Sequence, residues 1–185
     1  MRYRKDIVTE IHLPNPQWQT MLDQCLRKLA GRYQDNEIRE PKAFGLLGGT
    51  LEENLLMLKH VIPLMKNARH QDCNKSYMDG TMKQHAVSSE TPLEKRGWVA
   101  DPAELNMALK DFQAKGIRLV GTYHMHRIAW EHDHVRDTPT KLDMILGKDS
   151  RLFMFIISMV KPDSPLLRAF FEGNSEQEVK VIIDS

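Results

Sequence analysis

The stretch GTYHMHRIAWEHDHVRDTPTKLDMIL, residues 121 to 146, decides how the chain reads. It holds four histidines, three aspartates and one glutamate, so it is either a solvated loop or a metal centre. IRLVGTYHM, which leads into it, alternates as a strand does and sets His124 and His126 at the strand's end. Residues i and i+2 of a strand point to one face, so both imidazoles can converge on one ion. A third ligand has to come from another element. Asp143 is well placed, because DTPTKLD sets it one turn into a helix expected from Pro139 or Thr140 to Leu146. Two histidines, one carboxylate and an open position make a catalytic type of zinc site. The open position lets the metal acidify a water and polarise a carbonyl. An HxH pair alone is a weak signal, since strand-end histidines bonded to backbone have the same spacing.

The chain has 185 residues, 41% apolar and 28% charged, with a formal net charge of +1. That suits one domain with a proper core. It offers no charge excess to recruit nucleic acid or an anionic membrane. Two cysteines, Cys25 and Cys73, make no disulfide framework and point to a reduced, cytoplasmic protein. The start, MRYRKDIVTEIHLP, lacks the apolar stretch of a signal peptide. The longest apolar run, LFMFIISMV at 152 to 160, is less than half a membrane span and reads as a buried strand.

Upstream, LPNPQWQTMLDQCLRKLAGRY predicts a helix with Asn15 as cap, Pro16 in its first turn and Gly31 past its end. AFGLLGG (43 to 49), stopped by its glycines, and NLLMLKHVIPLM (54 to 65) read as neighbouring strands turning at GTLEE. Residues 66 to 100 are polar and poorly patterned, and a loop of that length is usually a lid or a binding loop. DPAELNMALKDFQAKG is the best helix: Asp101 caps it, Pro102 is in first place, Glu104 completes a capping-box-like arrangement and Gly116 closes it. RLFMFIISM, LLRAFFE and EVKVIID predict three closing strands. Helix, two strands, helix, strand, helix and three strands is an α+β order.

The run DPAELNMALKDFQAKGIRLVGTYHMHR…PTKLDMI resembles the JAMM (MPN+) metalloprotease family in its prokaryotic Mov34/JAB-like branch. There a strand ending G-x-x-H-[ST]-H-P is followed by P-S-x-x-D. Here those positions read Gly121, His124, Met125, His126 and Arg127, then Pro139, Thr140 and Asp143. AFGLLGG looks like the family's E-x-x-G-L-L-x-G strand, and the likeness extends over about residues 17 to 183. It implies an MPN-type (cytidine-deaminase-like) fold: one domain over 1–185, with a mixed β-sheet flanked by helices. It further implies zinc on His124, His126 and Asp143, with Thr140 at the serine position that steadies the tetrahedral intermediate. The implied activity is hydrolysis of a peptide or isopeptide bond at a ubiquitin-like or sulfur-carrier-like protein tail.

The chain also departs from that pattern. Counting back from Gly45, the general-base position holds Lys42, and a charged ammonium accepts no proton. Glu40, two residues further back, is the candidate base, and Glu37 is a more distant one. Arg127 replaces a proline and Met125 a small hydroxyl residue. The interval from His126 to Asp143 is about six residues longer than usual if Thr140 and Asp143 are matched correctly, which makes 127–138 an insertion. Asp137 has the more usual offset and is the rival third ligand. His132 and His134, in EHDH, read as a solvated insertion, as added ligands or as a pH-sensitive rim. The alternative function is a catalytically inactive MPN-like module that binds a protein partner, and Lys42 is the residue that favours it.

Overall fold

The computed structural model describes residues 8–88, 91–128 and 138–184. Along the chain run β1 (Glu10–Pro14), α1 (Asn15–Leu29), β2 (Phe44–Glu52), β3 (Leu55–Pro63), α2 (Asp72–His85), α3 (Pro102–Ala114), β4 (Arg118–His126), α4 (Lys141–Gly147), β5 (Phe153–Ser158), β6 (Leu166–Phe171) and β7 (Glu178–Asp184). Single 3-10 turns lie at Ala68–His70 and Leu93–Lys95.

The strands close into a barrel in the order β1-β3-β2-β4-β5-β6-β7. This corrects the expected α+β, MPN-type sheet flanked by helices. The element responsible is β1, which the sequence reading passes over. Glu10–His12 pair in parallel with Leu55–Met57 of β3, and Glu10–Pro14 pair in parallel with Lys180–Asp184 of β7. One five-residue strand thus joins the two edges that an open sheet would leave unpaired. Its pattern is simple alternation, with Ile11 and Leu13 both fully buried. Five residues give too short a window for that alternation to register beside a strong helix signal.

One face of all seven strands and one face of α1 share a single core. It contains Leu13, Leu47, Leu58, Tyr123, Phe155, Ala169 and Val179, with Trp18, Met21 and Cys25 from the helix. The other face of β2 carries Leu46, which packs with Ala108 and Phe112 of α3. The glycines of β2 do not end the strand as expected; it runs on to Glu52, and the turn falls at Glu53, whose φ is 57°. Gly45 sits opposite Tyr123, and a β-carbon there would fall 2.2 Å from the tyrosine ring. The residue is glycine to leave room for that ring. Tyr123 donates from its hydroxyl to Gln24 Oε1 at 2.7 Å, and Gln24 Nε2 donates to the Phe44 and Leu64 carbonyls. A buried polar chain therefore locks α1 onto the start of β2 and the exit of β3.

Helix ends follow the sequence with two changes. Pro14 rather than Asn15 is the N-cap residue of α1. At α3 the Asp101 side chain accepts from Glu104 N, as expected. Glu104, however, turns outward and accepts from the backbone N–H of Met65 and Lys66, fixing the chain where it leaves β3. The polar segment 66–100 contains a 14-residue helix, α2, with Met78 and Met82 as its buried residues. Two methionines four apart are too sparse an apolar face to show by periodicity. Arg69, fully buried, pins this segment through Asp79 and the carbonyls of Arg96 and Lys75.

Beneath α1, Lys28 and Glu37 form an ion pair of 3.1 Å with both side chains inaccessible, and Arg27 adds a second cation at 3.0 Å from Glu37. Burial acts against the charge on Lys28 and lowers its pKa, although Glu37 opposes the shift. Removing one partner strands a buried charge. Glu37→Ala should cost about 3–5 kcal/mol in urea unfolding, against less than about 1 kcal/mol for Asp23→Ala, which removes an exposed pair. The two cysteines are unpaired, Cys25 buried and Cys73 exposed, and burial pushes the Cys25 thiol up to about 12. Iodoacetamide should label Cys73 in the native protein and Cys25 only after unfolding; equal rates for the two would contradict this packing.

Candidate metal centre

β4 and β5 pair in parallel, His124 with Ile156 and His126 with Ser158. Parallel neighbours need a crossover, and here it includes α4. The C-terminal end of a strand and the start of the helix that follows then lie at one end of the unit, where α/β proteins place their ligands. That geometry brings His124, His126 and Asp143 together across the insertion.

The two histidine Nε2 atoms are 3.0 Å apart. Asp143 Oδ1 lies 3.6 Å from His124 Nε2, and Oδ2 lies 3.8 Å from His126 Nε2. Tetrahedral zinc with bonds of about 2.0–2.1 Å separates its ligand atoms by about 3.3 Å, so one ion fits between these three side chains without rearrangement of the backbone. Among the described residues, this is the group of histidine, cysteine and carboxylate side chains that could hold a metal ion.

Protonation states agree with that geometry. Burial lowers the His124 pKa to about 4, with Asp143 opposing and His126 assisting. Burial alone would raise the Asp143 pKa, yet the two imidazoles and Thr140 hold it below its ordinary value. At neutral pH the site presents a neutral His124 and an ionised Asp143, the forms that bind a cation.

Thr140 caps α4 in a full capping box with Asp143. Its backbone N–H and its hydroxyl both donate to Asp143 Oδ2 at 2.7 Å, and Asp143 N donates back to the hydroxyl. The hydroxyl proton is therefore engaged with the carboxylate. In this arrangement Thr140 orients a ligand rather than presenting a donor to an oxyanion.

Phe44 is the cross-strand partner of His124, and their rings stack at 6.0 Å. Trp98 stacks on Phe44 at 5.9 Å. These two aromatics fix the plane of the His124 ring, and sequence reasoning missed both. Phe44 could have been found from its register with His124; Trp98 stands in a segment without pattern.

Lys42 also falls beside the centre. The ladder extends past Phe44, since Met125 N donates to the Ala43 carbonyl, and two residues back puts Lys42 abreast of His126. Its ammonium bonds Glu40 Oε2 at 2.9 Å and the Gly97 carbonyl at 3.2 Å. Glu40 Oε2 also accepts from Asn67. Lys42 lines the cleft at the histidines and Glu40 does not. Glu37 belongs to the ion cluster under α1. Asp137, His132 and His134 lie outside the described residues.

The cleft has a volume of about 600 Å³. One wall comes from the segment expected to be a lid or binding loop, including Tyr77, Met78, Met82 and Trp98; α4 supplies Leu142 and Leu146. No helix among the described residues is long and apolar enough to cross a membrane.

No family model matches the chain, and no curated protein matches it. The solution structure of protein DSY2949 from Desulfitobacterium hafniense is similar at 22% identity, over 95% of this chain and 93% of that one, with a TM-score of 0.58. That is a likeness of fold. A solution structure from Salinibacter ruber covers 94% of this chain and 92% of its own at 13% identity, with a TM-score of 0.47, too low for an inference.

The capping box yields a test that separates ligand orientation from helix stability. Thr140→Val should weaken zinc binding about 10–100-fold while leaving saturation at one ion per chain, and Thr140→Ser should restore it. Zinc competition against a chromophoric chelator measures this, and unchanged affinity in the valine variant would remove Thr140 from the site.

Proposed function

We propose that the chain is a zinc-dependent hydrolase of peptide or isopeptide bonds. The observation that carries the reading is the convergence of His124, His126 and Asp143 at ligand spacing, in a cleft large enough for a substrate. It agrees with the His-x-His and Thr-x-x-Asp motifs that carry the JAMM resemblance, independently of the fold which that likeness implied. A ubiquitin-like or sulfur-carrier-like tail is the substrate that the motif resemblance suggests. Zinc in such a site polarises a carbonyl and acidifies a water.

The chain's own residues set up the rest. Thr140 holds Asp143 ionised and in place. Phe44 and Trp98 fix the ring of His124. Lys42 brings N–H donors abreast of His126, where an anionic group or a developing oxyanion gains most from them, and Glu40 steers that ammonium. Glu40 is the nearest candidate proton acceptor by sequence, and serving as one requires its Oε2 to leave Lys42 and Asn67.

Lys42 also favours a second reading, a catalytically inactive module, with or without metal, that binds a protein partner. Two measurements separate the readings. Metal analysis by plasma mass spectrometry, on protein purified without chelators, should find about one zinc per chain. Hydrolysis of peptide and isopeptide substrates should vanish together with the metal in His126→Ala. Zinc without hydrolysis of any such bond selects the module, and absence of zinc, with none taken up on titration, contradicts the hydrolase and leaves the module.

A further inference from the structure

Beside the candidate centre the cleft is largely apolar. Its accessible walls include Tyr77, Trp98, Leu142, Leu146 and Met154. At about 600 Å³ it lies within the usual span of small-ligand sites, roughly 300–1,000 Å³. Met154, partly exposed in that wall, adapts to the shape of an apolar guest.

Charge is distributed unevenly around it. The cations on the lining are Lys42, Lys95, Arg96 and Arg127, and the acids are Asp143 and Glu172. Asp143 faces the two histidines, and Glu172 accepts from the backbone of Arg151. An ammonium has three donors, and two from Lys42 go to Glu40 and Gly97. The third remains for a group in the cleft, and the Lys42 side chain is 20% exposed.

From this we infer that the cleft binds the C-terminal residue of a peptide: a large apolar side chain packs on Trp98, Leu142 and Leu146, and the free carboxylate is held by Lys42. The inference rests on the hydrolase reading and narrows its substrate class. The bond cut is the amide preceding that residue. Water adds hydroxyl to the acyl carbon and hydrogen to the departing nitrogen, releasing an apolar amino acid. Lys42 is then a specificity residue at the position where a base is expected, which gives its presence there a reason.

The test is a set of NMR titrations on the full chain, zinc-replete and chelator-stripped, with N-acetylphenylalanine, its carboxamide and N-acetylglycine. The acid should bind about tenfold or more tighter than the carboxamide, and the phenylalanine compound about tenfold or more tighter than the glycine one. Both preferences should persist in the stripped protein, because they come from Lys42 and the apolar wall. Lys42→Met should erase the preference for the acid while leaving zinc content unchanged. Leu146→Asp, a change at a half-exposed position, should erase the preference for phenylalanine. Acid and carboxamide binding equally, or an acid preference that disappears with the zinc, would overturn the assignment to Lys42. A protein that shows both preferences but takes up no zinc would keep the binding site and refute only the hydrolase.

Discussion

The site depends on the parallel pairing of β4 with β5. An antiparallel neighbour could follow His126 through a tight turn and would leave no helix start near the histidines. The parallel arrangement forces a crossover, and the crossover delivers Asp143 at the beginning of α4 to the end of β4. The capping box that starts α4 is built from the same carboxylate that faces the imidazoles. Helix initiation and the placement of the Asp143 carboxylate are thus one set of bonds, and disturbing the cap disturbs the site.

Around that crossover, the barrel supplies rigidity. β1 closes the sheet by pairing in parallel on both sides. The Gln24 side chain ties α1 to Tyr123 and to the Phe44 carbonyl; Tyr123 precedes His124 in β4, and Phe44 is the cross-strand partner of His124. A two-residue lever therefore runs from the helix to His124. The buried Lys28 and Glu37 pair sits under the same helix, and it contributes through the cost of breaking it rather than through net stabilisation.

Much of the site was legible because its signals are local. A His-x-His at a strand end, a Thr-x-x-Asp at a helix start and an Asp-Pro cap at α3 each express one element's geometry, and each appears where the spacing placed it. The barrel was not legible, because its deciding element is five residues long and its meaning lies in partners about 45 and 170 residues away. Local patterning does not encode such pairings. The position of Lys42 was countable from Gly45, but the bonds to Glu40 and Gly97 that aim its ammonium depend on segment 66–100, whose helix carries only two buried methionines. Thr140 shows the same limit from the other side: its identity fits a donor to substrate, while its proton belongs to Asp143.

The central claim is that two imidazoles and one carboxylate from a parallel crossover bind one ion. An X-ray absorption spectrum at the zinc edge of the loaded protein tests it most directly. The account predicts a first shell of four nitrogen and oxygen atoms at about 2.0–2.1 Å, with the outer-shell pattern of two imidazoles. A sulfur contribution at about 2.3 Å, or a shell without imidazole scattering, would mean that the metal sits elsewhere and would contradict it.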